Sequence, residues 1–135
     1  SIVRIFDVVQ QKNVANFLGH TGKVTALSFS ENGFYLASGD EKGEVKLWDL
    51  RRLKNFHTLP FKSAEPVVGL EFDASGSYLA VTGPDVSIYA TKQWEVVHTW
   101  KDHTKEVTAL KFGNNADWFC TSSKDRSLKF FTGSD

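Results

Sequence analysis

His103, Ser123 and Asp125 are the side chains whose types could do covalent chemistry here. Brought together they would form a nucleophilic triad, in which the imidazole takes the serine proton and the carboxylate orients the imidazole. A second grouping, His20, Ser38 and Trp48, offers imidazole and hydroxyl beside an indole. A working triad also needs an exposed serine, an oxyanion hole and a pocket, and nothing in the sequence supplies them. Metal chemistry fares no better. His20, His57, His98 and His103 lack close ligand spacing; His98 and His103 are five apart, with Asp102 in a turn between them. The single cysteine, Cys120, has no partner for a zinc pair or an intrachain disulfide. No metal and no cofactor is expected.

The spacing has a plainer source. Ile5-Phe6-Asp7, Leu47-Trp48-Asp49, Ile88-Tyr89-Ala90 and Phe130-Phe131-Thr132 place an aromatic at 6, 48, 89 and 131, at intervals of 42, 41 and 42. Val24-Thr25-Ala26-Leu27-Ser28-Phe29 returns as Val107-Thr108-Ala109-Leu110-Lys111-Phe112, with Val68-Gly69-Leu70-Glu71-Phe72 between them. A period of about 40–45 residues, with Gly-His near the start and Trp-Asp at the end, is the mark of a WD-repeat β-propeller blade. In such a blade a His before strand a, a Ser or Thr on strand b, an Asp in the b–c turn and the Trp of strand c form one hydrogen-bonded tetrad. These groups are buried, and each left unpaired costs about 1–3 kcal/mol. His20, Ser38 and Trp48 therefore read as one tetrad and His103, Ser123 (or Thr121) and Asp125 as another, with Phe131 in place of Trp. Lys42 stands six before Trp48, where the Asp is expected, so Asp40 or Glu41 would have to substitute and Lys42 would point to solvent. The middle repeat lacks both His and Trp, and its tetrad is absent.

The elements that position these residues are short alternating segments between Gly, Asn, Asp and Ser turns. One set of four runs Val24–Phe29, Phe34–Ser38, Val45–Trp48 and Phe56–Leu59, with Glu31-Asn32-Gly33 as a turn. A second runs Val67–Phe72, Tyr78–Val81, Val86–Tyr89 and Glu95–Trp100; a third runs Val107–Phe112, Trp118–Ser122 and Leu128–Phe131. Ile2–Phe6 and Val14–Leu18 precede them as c and d strands. The expected fold is all-β: a partial propeller of about three antiparallel blades, incomplete at each end. It divides into 1–18, 19–61, 62–101 and 102–135, the first holding strands c and d and the last strands a to c with a tail. A closed ring takes four to eight blades. Unmatched ends expose strand edges, so the chain is expected to self-associate or to join a missing half-propeller.

Bulk composition agrees with a protein-binding role. In 135 residues, sixteen basic and sixteen acidic side chains cancel, which argues against a dedicated nucleic-acid surface. No apolar run reaches the roughly 18 residues that span a bilayer. One cysteine suits a reducing compartment. Lys23, Asp40, Glu41, Lys42, Lys105, Glu106, Lys124 and Arg126 gather in the d–a and b–c connections, as a solvated rim or as a partner-binding face of mixed sign. Tyr35, Tyr78 and Trp118 share a register on strand b and read as packing, as does Trp100, aligned with Leu18 and Phe61. Trp94 opens a d strand and is the best candidate for an exposed interface aromatic.

Longer strings carry a more specific likeness. Asn13-Val14-Ala15-Asn16-Phe17, Phe29-Ser30-Glu31-Asn32-Gly33, Val45 to Arg51 with Leu53-Lys54-Asn55-Phe56, and Asp125 to Phe130 resemble the C-terminal propeller of the pre-mRNA-processing factor nineteen family, from Val3 to Phe131. The resemblance implies a nuclear protein of splicing and the DNA-damage response, whose propeller recruits protein partners and substrates. It implies a ubiquitin-ligase U-box and a tetramerising coiled coil upstream, neither of which is in this sequence. It also implies that an N-terminal strand of the propeller completes the last blade. The chain itself is expected to catalyse nothing. The alternatives are a WD-repeat adaptor of another ubiquitin-ligase or signalling complex, and a propeller hydrolase acting through Ser123.

Overall fold

In the computed structural model residues 1–59, 65–101, 107–113 and 118–132 are described, except for the side chain of Trp118, and these residues form thirteen β-strands. There is no helix among the described residues. The strands are β1 (Ile2–Asp7), β2 (Lys12–Leu18), β3 (Val24–Phe29), β4 (Tyr35–Asp40), β5 (Val45–Asp49), β6 (Lys54–Leu59), β7 (Gly69–Phe72), β8 (Tyr78–Thr82), β9 (Val86–Ala90), β10 (Glu95–Trp100), β11 (Val107–Phe112), β12 (Trp118–Ser123) and β13 (Leu128–Thr132). They make four antiparallel sheets in sequence order: β1-β2, β3-β4-β5-β6, β7-β8-β9-β10 and β11-β12-β13. This is a partial WD-type propeller, two four-stranded sheets flanked by a two-stranded and a three-stranded one.

Sequence decides which strands lie in the middle. β3 alternates exposed and half-buried positions along Val-Thr-Ala-Leu-Ser-Phe, whereas β4, β5, β8 and β9 are buried on both faces. β8 and β9 carry Leu, Val, Ile, Ala and Tyr at all but one position each, as a strand sandwiched between two layers requires, while β4 and β5 bury the polar Ser38, Asp40 and Asp49 as well. Leu36, Leu47 and Leu79 are wholly buried, and each contributes about 1.5–3 kcal/mol by leaving water. Three apolar cores lie between successive sheets: Val3, Phe17, Leu36 and Trp48; then Ala37, Leu47, Leu59, Leu79 and Tyr89; then Ala80, Val86, Phe119 and Phe131.

The first strands of neighbouring sheets are tied at the repeat interval. The Phe72 amide donates to Ser28 Oγ at 3.3 Å, and one repeat later the Phe112 amide donates to Glu71 Oε1 at 3.5 Å. Thr25 Oγ1 donates to the Val67 carbonyl at 2.5 Å. The sheets therefore share polar seams as well as apolar cores. Close approach makes one residue choice compulsory: a Cβ on Gly39 would sit 2.5 Å from Val67 Cγ1, so only glycine lets the loop before β7 lie against β4.

Two sequence expectations change. The residue facing the next sheet from each d strand is not in the Leu18–Phe61 register. Val3 pairs with Phe17, Val45 with Leu59 and Val86 with Trp100, so Trp100 matches Phe17 and Leu59. Bulges between Ile5 and Phe6, Leu47 and Trp48, and Val96 and His98 shift the count. Phe61 lies outside the described residues. The d strands also begin behind a left-handed residue, Gln11 (φ 55°), Leu53 (φ 54°) and Trp94 (φ 57°). Trp94 is thus in the turn, not on the strand.

Candidate functional site

The loop after β2 delivers His20 beneath the ends of β4 and β5, beside a strand pair that presents Ser38 and Trp48. His20 Nδ1 lies 3.0 Å from Asp40 Oδ2, and His20 Nε2 lies 2.6 Å from Ser38 Oγ. The Trp48 indole N–H donates to the same Ser38 oxygen at 2.8 Å. An ionised carboxylate only accepts, so the network assigns the imidazole proton to Nδ1. Protons then point one way: indole to hydroxyl, hydroxyl to imidazole, imidazole to carboxylate. Ser38 and Asp40 are 0% exposed.

Asp40 fills the acid position that the count of six before Trp48 gave to Lys42. Its other oxygen, Oδ1, accepts the Lys42 and Glu44 amides, each at 3.0 Å, so one carboxylate closes the tetrad and shapes the β4–β5 turn. Burial pushes the Asp40 carboxyl up, but the His20 hydrogen bond and the Glu44 and Lys42 amides outweigh it and hold it below the usual carboxylate range. Asp40 therefore belongs to the buried network and not to the rim, where the sequence reading had also placed it. Lys42 is exposed.

The order Ser38–His20–Asp40 is that of a hydrolase triad. It cannot act as one. The serine is sealed, its oxygen already accepts an indole proton, and Phe17 lies flat on Trp48. The same His20 Nδ1, Asp40 Oδ2 and Glu44 Oε1 lie within 4.8 Å of one another, a grouping of metal-ligand types that sequence spacing did not reveal. Here the Lys46 ammonium, 3.3 Å from Glu44 Oε1, supplies the positive charge.

In the last sheet the registers correct one assignment. Leu27, Ser38 and Lys46 pair across one sheet as Leu110, Thr121 and Lys129 do across the other. Buried Thr121, not Ser123, thus holds the hydroxyl position. Ser123 matches Asp40; its Oγ accepts the Asp125 amide at 3.1 Å. Asp125 Oδ1 accepts the Ser127 amide at 2.8 Å and also the Ser127 hydroxyl. His103 lies outside the described residues, as do Lys105 and Glu106. In the third sheet Val81 takes the place of Ser38 and Tyr89 that of Trp48, so the serine–indole pair has no counterpart there. Burial pushes the Tyr89 phenol up.

Lys23, Glu41, Lys42, Lys124 and Arg126 are exposed in the b–c and d–a connections. Lys23 and Glu41 clasp through backbone: the Glu41 amide donates to the Lys23 carbonyl at 2.9 Å, and the Lys23 amide to Glu41 Oε1 at 3.1 Å. Trp94 is half-buried, with Phe56 at 5.8 Å and His57 at 6.2 Å, so it is a packed residue between two sheets rather than a free aromatic. The sequence reading missed Arg51. Its guanidinium lies 4.4 Å over the Phe34 ring and 3.3 Å from Asp49 Oδ2; the Arg–Asp spacing of two was the available signal.

The WD domain, G-beta repeat family matches residues 11–49 and 94–132. The chain belongs to the WD-repeat family. This WD-repeat chain is 49% identical, over 97% of its length, to "Pre-mRNA-processing factor 19" of Oryza sativa subsp. japonica. It is 46% identical over 97% to "Pre-mRNA-processing factor 19 homolog 2" of Arabidopsis thaliana and 46% identical over 98% to "Pre-mRNA-processing factor 19" of Homo sapiens. It spans about a quarter of those relatives, 26%, 25% and 26% respectively. The match to these pre-mRNA-processing factors runs through both four-stranded sheets of the WD-repeat chain, including the repeat without a tetrad.

Proposed function

We propose that this WD-repeat chain is a protein-binding section of the propeller of a pre-mRNA splicing factor, working in the nucleus. The observation that carries the reading is the identity of 46–49% along nearly the whole chain to relatives whose names state pre-mRNA processing. In this reading the sheets are a rigid frame and the exposed charges Lys23, Glu41, Lys42, Lys124 and Arg126 meet splicing-complex subunits or ubiquitination substrates. Ligase activity belongs to a U-box elsewhere in the parent and not to this section; a part in DNA repair belongs to the same parent. The units are those of the repeat, 1–18, 19–61, 62–101 and 102–135. Exposed Phe6 and Leu18 in the first sheet, and Leu128 and Phe130 in the last, support further blades or a second copy packing on these sheets.

The test is affinity capture with the intact parent, read by mass spectrometry, against a variant carrying Lys23→Glu, Lys42→Glu and Arg126→Glu. Splicing factors recovered by the parent and reduced in the variant are expected. A set of membrane-signalling proteins in their place would overturn the reading.

A further inference from the structure

The middle repeat keeps half of an ion pair whose other half it has lost. In the β3–β6 sheet Glu44, two residues before Lys46, lies 3.3 Å from the Lys46 ammonium, which also donates to Thr58 Oγ1 at 3.4 Å. The registers equate Lys46 with Ser87 and Thr58 with Thr99, since Ser38 pairs with Lys46 and Lys46 with Thr58, as Val81 pairs with Ser87 and Ser87 with Thr99. Asp85 stands two before Ser87, as Glu44 stands before Lys46. The carboxylate is retained and the lysine is not. Lys101 reaches Asp85 at 3.7 Å from an exposed side chain, a loose substitute.

A cavity of about 80 Å³ opens at this place between the second and third sheets. Its lining includes apolar Val45, Leu59, Val67 and Val81, with the acids Glu65 and Asp85. Glu65 is exposed and Asp85 half-buried, so the cavity couples an apolar wall to anionic groups open to solvent. That combination suits a side chain with an aliphatic stem and a cationic head.

Resting on the protein-binding reading above, we propose that this cavity is a socket for one lysine side chain of a partner protein. The stem lies along Val67 and Val81, and the ammonium takes beside Asp85 and Glu65 the place that Lys46 takes beside Glu44. The partner thus supplies in trans the cation that the neighbouring sheet carries in cis.

The test uses the intact protein with labelled valine methyl groups and two blocked tripeptides, glycyl-lysyl-glycine and its norleucine analogue. The lysine peptide is expected to shift the Val67 and Val81 methyls and to bind about tenfold tighter than the norleucine peptide. Ser87→Lys, which restores the lysine in cis, and Glu65→Gln, at an exposed position, are each expected to reduce that shift several-fold. The Glu65→Gln arm stands even if Ser87→Lys fails to fold. Equal binding of the two peptides, or no shift at these methyls, overturns the socket. If splicing factors are still captured in that case, the socket alone falls; if capture fails as well, the protein-binding reading falls with it.

Discussion

Phe17 lies flat on Trp48, with ring centroids 4.6 Å apart and planes 6° from parallel. The two residues belong to different sheets, so the aromatic lid on the tetrad of one sheet is provided by the sheet before it. Trp100 repeats the arrangement two interfaces on, edge-to-face with Phe119 at 4.9 Å and 5.5 Å from Phe131. An aromatic contact of this kind adds about 0.5–1.5 kcal/mol beyond its buried area.

Ser38→Ala removes an oxygen that serves two buried partners, His20 Nε2 and the Trp48 N–H. Each group left unpaired costs about 1–3 kcal/mol. Trp48→Phe in the Ser38→Ala background is expected to cost less than in the parent, because the orphaned indole donor goes with it. A double-mutant cycle by urea denaturation measures the coupling; additive losses would show that the bond contributes nothing.

Acid should unfasten the network. The Asp40 carboxyl is held below its ordinary value, so the unfolded chain binds its proton more readily than the folded one. The stability it contributes is present above the unfolded value, about 3.9, and is lost as pH falls through the lower folded value. Urea midpoints measured downward from pH 5 should fall below about pH 4, and Asp40→Asn should flatten that limb while lowering stability at neutral pH.

Gly39→Ala places a methyl 2.5 Å from Val67 Cγ1 and should cost about 1–3 kcal/mol as overpacking. Val67→Ala in the same chain opens the space, so the double variant should lose less than the sum. Thermal melting of the four proteins checks this.

Leu53 has φ 54° and is half exposed. Leu53→Gly and Leu53→Ala remove the same contacts beyond Cβ, but only glycine is at ease in the left-handed region. Leu53→Gly should therefore be the more stable of the two by about 0.5–1 kcal/mol, the reverse of the order within a strand. Equal melting curves would mean the turn relaxes to another conformation.

The repeat made the thirteen strands legible because Val-Thr-Ala-Leu and the aromatic of strand c recur at a fixed interval. Strand starts and ends differ from the sequence pattern by one or two residues, as at β4 and β7. The tetrad was half legible. His20, Ser38 and Trp48 could be named from spacing, but the acid only as either Asp40 or Glu41. Asp40 sits at the end of β4 rather than in the turn, and a count from Trp48 reaches Lys42 instead. The hydroxyl of the last sheet stayed open between Ser123 and Thr121 for the same reason: the two differ by one pleat, and only the ladder selects Thr121. Trp94 was hidden by its φ of 57°, since a left-handed turn redirects a side chain that simple alternation places on the outer edge.

The lid on Trp48 makes the first two sheets interdependent. Damage to Phe17 would be felt at Trp48, His20 and Ser38, and loss of Trp48 would uncover Phe17 and Val3 in turn. A nick or substitution in an outermost strand should thus weaken the following unit as well as its own, as a roof tile loosens with the one it overlaps.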